Sequence, residues 1–179
     1  MSGPAPARKL SAAALRESFD ASFARPASPA AAPGEHMLAV RIAGEPWLLR
    51  LAEIAGLYVD LRVAWLPSAV PELRGTASLR GGIVPVYDLA ALLGHPGGEP
   101  ARWLASTAGR ERVGLAFERF EAHLTVAPGR VVPSGDGRGH RHVAGIVREA
   151  EEARPVLDVG SVLETIAAAA LAGRPAQEG

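Results

Sequence analysis

Two histidines, His140 and His142, have a spacing at which metal ligands sometimes occur. Residues two apart in a strand point to the same face, so both imidazoles would lie together, and imidazole nitrogens bind transition metals. The surrounding sequence adds no convincing carboxylate or further histidine that would complete a ligand set. We therefore interpret both residues as solvated loop histidines and predict no metal site.

The same region carries alternating glycines, Gly135, Gly137 and Gly139, which are superficially similar to a phosphate-binding loop. A P-loop ends in a lysine and a serine or threonine and is followed by a helix, and this stretch has neither feature. No serine stands in the G-x-S-x-G context of a nucleophile elbow. The sequence lacks cysteine, which excludes a thiol nucleophile and cysteine-ligated zinc. Nothing here demands catalysis, so we predict a protein that is not an enzyme and has no cofactor.

Asp88 and Asp158 stand in equivalent sequence contexts and could be mistaken for an acid–base pair. Each follows a Pro-Val-x stretch and precedes an apolar segment. A carboxylate in that position accepts a hydrogen bond from one of the first backbone N–H groups of a helix. We therefore predict that both aspartates cap helices and have a structural role.

The element that leads to Asp88 is a predicted strand at residues 82–87, a β-branched and aromatic run entered through a glycine pair. Pro85 cannot donate to a sheet ladder, so this strand should lie at an edge or leave one side unpaired. Asp88 then caps a short apolar helix at 89–93, which Gly94 ends. The unit is a turn, a strand, a capped helical turn and a stop.

This unit recurs in the second half of the chain. Residues 85–89 (PVYDL) are echoed by residues 155–159 (PVLDV), and each proline follows a glycine, Gly75 or Gly145, by ten residues. Identities upstream, between the stretches that begin at Met37 and Trp103, keep the same order. The pattern predicts a mainly β protein with two similar small subdomains side by side. Their predicted bounds are 35–99 and 100–173, followed by a tail at 174–179.

The composition limits the kinds of partner that the protein is expected to bind. Nineteen basic and nineteen acidic residues cancel, which argues against a nucleic-acid-binding or membrane-surface protein, since both carry a clustered basic excess. No apolar run reaches the ~18 residues of a membrane-spanning helix. We expect a soluble cytoplasmic protein that does not insert into a membrane.

The first 34 residues, rich in alanine and proline, are predicted to form a flexible arm. Within it, a candidate helix at 11–24 places Leu15, Phe19 and Phe23 on one face. Two interpretations stay open: the helix packs on its own domain or forms only transiently, or it docks into a groove on a partner.

A second helix signal, stronger than the first, closes the chain. Ser161 and Glu164 form a candidate capping box, and Gly173 ends the helix. Its predicted apolar stripe, which should pack on a sheet, consists of Val162, Leu163, Ile166, Ala167, Ala170 and Leu171.

Arg80 stands between Leu79 and the glycine pair, where a long cation can reach out of a tight turn to a partner's carboxylate or carbonyl. Together with its neighbours it forms a motif that resembles the CheW family of chemotaxis coupling proteins. The residues that carry the resemblance are Gly75, Ser78-Leu79-Arg80-Gly81, Pro85-Val86-Tyr87-Asp88-Leu89 and Leu93-Gly94. The resemblance implies two SH3-like five-stranded β-barrels, a hydrophobic core between them, short helices and a C-terminal helix.

The resemblance also implies a function. The protein would be a non-catalytic adaptor that joins the cytoplasmic tip of a chemoreceptor to the regulatory domain of a CheA-type histidine kinase, recruited to receptor arrays. Edge-to-edge barrel packing would contact the kinase, and a groove between the subdomains would accept the receptor's helical hairpin. The implied partner-binding residues are Arg80, Gly75, Leu79, Gly81, Ile54 and Leu57, beside the structural motif residues Pro85, Asp88, Gly94 and Asp158.

The sequence also departs from the family pattern. Ser78 replaces the usual asparagine, and residues 117–120 (FERF) stand where V-D-x-V is usual. The arm is an addition that coupling does not need. One alternative is therefore a specialised CheW-like scaffold that recruits another protein through its arm. Two further alternatives are a scaffold outside chemosensing and a small enzyme or ligand sensor that uses the cleft between the subdomains.

Overall fold

The computed structural model describes residues 34–95, 99–134, 141–149 and 152–172. The predicted arm with Leu15, Phe19 and Phe23, the glycine-rich loop with His140, and the tail lie outside the described residues. The strands are β1 (Glu35–Ile42), β2 (Glu45–Arg50), β3 (Ile54–Val59), β4 (Leu73–Leu79), β5 (Gly82–Asp88), β6 (Trp103–Thr107), β7 (Gly114–Phe117), β8 (Arg119–Val126), β9 (Val131–Pro133), β10 (Val143–Glu149) and β11 (Glu152–Leu157). A 3-10 turn (Leu51–Glu53) follows β2, and the helices are α1 (Leu89–Leu92) and α2 (Val159–Ala172).

The strands form two sheets. The first has the order β8-β1-β2-β11-β10-β9, and the second has the order β3-β6-β7-β5-β4. The prediction of a mainly β protein with a C-terminal helix is confirmed. The closed five-stranded barrels that the resemblance implies are not found among the described residues, because the two edge strands of each sheet do not pair with each other.

The strand registers reproduce the repeat of the sequence. In the β4–β5 and β10–β11 hairpins the register shifts at a glycine, so that Gly75 faces Val86 and Gly145 faces Val156. Strand β5 then pairs in parallel with β7, and β11 pairs in parallel with β2. The parallel pairing of β5 begins at Val86, so Pro85 has a ladder partner only on the β4 side. This satisfies the prediction that Pro85 leaves one side of its strand unpaired.

Each sheet combines strands from both repeat units. The second sheet holds β3, β4 and β5 from the first unit and β6 and β7 from the second, while β1 and β2 join β8, β10 and β11 in the first sheet. The two units have therefore exchanged their first hairpins. The boundary near residue 100 remains a prediction about the repeat units, since it does not divide the sheets.

Both repeat glycines allow a close approach of backbone. A side chain on Gly75 would overlap the carbonyl oxygen of Ala64, and one on Gly145 would lie 2.7 Å from the carbonyl oxygen of Val132. Ala64 exchanges two backbone hydrogen bonds of 2.8 Å with Thr76 on the outer edge of β4. Strand β9, which contains Val132, pairs with β10 in the corresponding place. A single bridge in the second sheet thus corresponds to a short strand in the first.

The largest apolar core lies between the sheets and takes side chains from both, as the resemblance implies. Its buried members are Leu38, Val40, Ile42, Trp47, Leu49, Tyr87, Leu89, Ala105, Val113, Leu115, Phe117, Leu157, Val159, Val162 and Ile166. Each sheet covers a smaller cluster of its own. These clusters are Met37, Ala39, Leu48, Val126, Val147 and Val156 in the first sheet, and Ala77, Leu79, Val84, Val86, Leu104 and Ala116 in the second.

Helix α2 begins earlier than the predicted capping box. Asp158 caps it by accepting a hydrogen bond of 2.9 Å from the backbone N–H of Ser161, which confirms the predicted role of Asp158. Ser161 therefore lies inside the first turn, and the prediction that it is the N-cap is wrong. Asp158 lies between the end of β11 and the first residue of α2, so its carboxylate, and not the Ser161 hydroxyl, is at the position that accepts from the first backbone N–H groups of the helix.

Candidate partner-binding site

Arg80 forms the tip of the β4–β5 hairpin together with Gly81. Leu79 pairs with Gly82, so the loop has two residues, and both have positive φ angles, 47° at Arg80 and 80° at Gly81. Positive φ at both central residues is the geometry of the tight hairpin turns that match strand twist. The turn leaves the Arg80 side chain exposed, as the sequence predicts.

The Arg80 side chain joins this turn to the edge strand β3. Its guanidinium donates a hydrogen bond of 3.3 Å to the backbone carbonyl of Ala55. Ala55 lies between Ile54 and Leu57, which are half-buried against the core between the sheets. The structure therefore brings together the two stretches in which the sequence predicts partner contacts.

Two other predicted contact residues lie beneath this surface. Leu79 is 6% exposed and belongs to the core of the second sheet. Gly75 is buried under the segment that contains Ala64. Any effect of these two residues on a partner would pass through the backbone they support, whereas Gly81 is exposed in the turn itself. Their part in partner binding stays a prediction.

The structural motif residues hold the base of the hairpin. The carboxylate of Asp88 accepts a hydrogen bond of 3.2 Å from the backbone N–H of Ala91 and pairs with Arg74 at 3.1 Å. This confirms Asp88 as the cap of α1. Gly94 has a φ of 83° and donates its N–H to the carbonyl of Ala91 at 3.0 Å. The helix therefore ends in a left-handed residue, as a glycine at that place predicts.

Sequence reasoning missed the apolar side chains around the turn and the edges of the second sheet. Ile83 is 80% exposed, Trp65 76% and Val59 49%. A partner that covered these side chains would remove their apolar area from water, which is favourable. For Trp65, the available signal was its place just before Pro67, since a proline limits how the preceding chain can pair. Ile83 lies on the same face of the strand as Pro85, and the alternation of residues along the strand gave no sign that this side chain is exposed.

His142 is buried, at 4% exposure, so the prediction of a solvated loop histidine is wrong for this residue. Its Nδ1 shares a hydrogen bond of 2.8 Å with the Ser161 hydroxyl, and its backbone carbonyl accepts the N–H of Asp158 at 2.9 Å. His142 directly precedes β10 and lies against the start of α2. Within the described ranges, no group of three or more potential metal ligands occurs.

We predict that His142 makes the stability of the protein fall at mildly acidic pH. Burial lowers the pKa of His142 below 6.5, Arg141 lowers it further, and Asp158 opposes both. The unfolded chain then binds more protons than the native one below pH 6.5. The stability that the neutral ring contributes is therefore complete above this pH and is lost as the pH falls toward the lowered pKa.

Thermal unfolding between roughly pH 7.5 and 5.5, the range in which histidine titrates, measures this effect. The Tm of the unmodified chain should fall more steeply than that of His142→Asn, because asparagine does not titrate in this range. Asparagine is the suitable replacement since it tolerates the φ of 72° at this position. His123→Asn, at an exposed histidine, serves as the matched control and should keep the steep dependence. Equal slopes for the chain and His142→Asn would contradict the prediction.

A cavity of about 190 Å³ lies between the sheets. It is smaller than the ~300–1,000 Å³ of common small-molecule pockets. The Arg74–Asp88 pair and the carboxyl-bearing residue Glu118 line it. This space is one candidate site for the predicted alternative of a small enzyme or ligand sensor.

The described site is a charged hairpin tip that lies against an edge strand, an arrangement that leaves a cation and backbone groups exposed for contact with another protein. The family model of the CheW-like domain matches residues 36–167. The chain belongs to this family, which confirms the resemblance read from the motif between Gly75 and Gly94. Family membership supports a scaffold or adaptor role in chemotaxis.

Among solved structures, the chain is similar to the scaffolding protein TtCheW from Thermoanaerobacter tengcongensis. The TM-score is 0.63 and the sequence identity is 17%, over 70% of this chain and 89% of that one. At this identity the likeness shows a shared fold. A comparison with curated proteins finds no match. No helix among the residues that the structure describes is long and apolar enough to cross a membrane.

Proposed function

We propose that this protein is a non-catalytic adaptor that couples chemoreceptors to a CheA-type histidine kinase. The family match supports the adaptor role. The observation that carries the site is the contact of the Arg80 turn with strand β3, because it places an exposed cation beside an edge strand of the second sheet. This surface is the proposed contact with the kinase.

Strand β3 is suited to edge-to-edge packing. Within the sheet it pairs only with β6, so one row of its backbone groups is free of ladder partners among the described residues. Val59 adds an exposed apolar side chain at its end. A kinase regulatory domain of similar fold would bury that apolar surface, and Arg80 at the rim would set the orientation. The helical hairpin of the receptor tip would bind in the groove between the repeat subdomains, in the cytoplasm and within receptor arrays.

The test is a calorimetric titration of the full chain, and of residues 34–179, against the kinase regulatory domain and separately against a receptor-tip fragment. Residues 34–179 form one compact unit by themselves, so the shorter chain is expected to bind both partners with unchanged affinity. Loss of binding by both chains to both partners would contradict the coupling function.

The same experiment also tests the second candidate function, in which the arm recruits the partner. Binding of the kinase by the full chain alone would favour the specialised scaffold that docks through Leu15, Phe19 and Phe23. A full chain in which these three residues are replaced by serine is the matched control. It should lose kinase binding if the arm docks, and keep it if β3 and Arg80 form the contact.

A further inference from the structure

A small notch lies where the β4–β5 turn meets β3. Its volume is about 30 Å³, far below the ~300–1,000 Å³ of a pocket that encloses a whole small molecule. The notch has room for one end group and not for a nucleotide or a metabolite. The polar side chains that line it are Tyr58, Arg80, Ser106 and Arg112.

Two arginines from different parts of the chain share this notch. Arg80 and Arg112 are both exposed and both line it. In the part of the chain that the structure describes, every ion pair is made by another arginine. Both arginines contribute to its lining, so an anion seated in the notch would be attracted by two positive charges. The notch is therefore complementary to a negative group that the described residues do not supply.

The backbone at Arg80 gives an independent reason to assign its side chain a role. Its φ of 47° lies in the left-handed region, where glycine or asparagine is preferred in such a turn. A non-glycine residue is strained in that region. Among the residues that the structure describes, the side chain makes one hydrogen bond, at 3.3 Å to the carbonyl of Ala55, although a guanidinium has five donor N–H groups. The remaining donors are available to a ligand.

We propose that Arg80 and Arg112 together bind one carboxylate from an acidic side chain of the partner protein. The inference rests on the proposed function, which supplies the partner, and adds Arg112 and the chemistry of the group that is recognised. The planar fork of a guanidinium matches the two oxygens of a carboxylate. A free phosphate ion shares this chemistry. We favour a carboxylate on a partner protein because the proposed function supplies such a partner and the small notch has room for the end of a side chain.

The first arm of the test is independent of any kinase. The arginine Nε–Hε resonances of the full-length chain are followed by NMR while sodium acetate replaces sodium chloride at constant ionic strength, and again with inorganic phosphate. Acetate should shift the Arg80 and Arg112 signals along one saturation curve. In Arg112→Gln the affinity at Arg80 should fall about tenfold, the loss of roughly one charged contact. Arg148→Gln, in the other sheet, is the matched control and should change neither signal.

The second arm measures binding of Arg112→Gln and Arg112→Lys to the kinase regulatory domain and to the receptor tip. The glutamine variant should bind the kinase regulatory domain about tenfold more weakly, and lysine should restore part of the loss because it keeps the charge without the fork. Independent acetate curves for the two arginines, or unchanged partner binding by Arg112→Gln, would overturn the proposal. Preference for phosphate with unchanged partner binding would overturn the protein carboxylate as its source. If acetate binds but neither the kinase regulatory domain nor the receptor tip does, the notch is an anion site and the proposed function is refuted.

Discussion

The Gly75→Ala variant is expected to lose about 4 kcal/mol of its free energy of unfolding, a large part of the ~5–15 kcal/mol of a typical domain. Two effects add at this position. The φ of 140° is strained for any residue with a side chain, and the new methyl group would overlap the carbonyl oxygen of Ala64. Relief of the overlap requires the segment that contains Ala64 to move away from β4, which weakens its bridge to Thr76. Urea denaturation followed by far-UV circular dichroism measures the loss.

Two matched glycines separate these effects. Gly44→Ala adds a methyl group into open space at a φ of 79°, so it should cost only about 1 kcal/mol, the conformational part alone. Gly145→Ala meets the Val132 carbonyl at 2.7 Å without a left-handed φ, and should cost about 2 kcal/mol. Similar losses for Gly44→Ala and Gly75→Ala would show that the close approach of Ala64 does not matter.

The sequence predicts the hairpin at Arg80 and its base because their causes are local. A glycine pair, a proline and an aspartate each restrict the backbone within a few residues, and the structure has the turn, the half-paired strand and the cap where those residues stand. The duplication was also readable, since two copies of one unit repeat the same local constraints. Gly75 and Gly145 even break the register of their hairpins in the same way.

What the sequence could not predict depends on contacts between distant residues. Identities between two units do not say which unit's hairpin completes which sheet, so the exchange of hairpins was invisible. His142 looks like a loop histidine in the sequence, whereas in the structure it is buried and contacts Ser161 at the start of α2. The pairing of Arg80 with Arg112 at one notch likewise requires β3 and the segment before β7 to meet beside the turn. Local propensity carries no information about such meetings.

Reversing the charge of the hairpin tip is expected to have the largest effect on binding. Arg80→Glu should weaken association with the kinase regulatory domain by about 100-fold, equivalent to about 2.7 kcal/mol, because a carboxylate would replace the cation that faces the partner's acidic group. The fold should be retained, since Arg80 is exposed in a two-residue turn and makes one side-chain hydrogen bond to the described chain. Arg148→Glu makes the same charge change on an exposed residue of the first sheet, and its affinity should stay within about twofold of the unmodified chain.

Arg80→Asn separates a binding role from a folding role, because the two predict opposite signs. Asparagine is among the residues that adopt the left-handed conformation readily, so the substitution should raise the free energy of unfolding by about 0.5–1 kcal/mol at the φ of 47°. The same change removes the cation and should weaken kinase binding about tenfold, less than the charge reversal does. Thermal unfolding and calorimetric titration of one preparation measure both quantities. A variant that is less stable and binds normally would assign Arg80 to the fold, whereas a more stable variant that binds weakly would assign it to the partner.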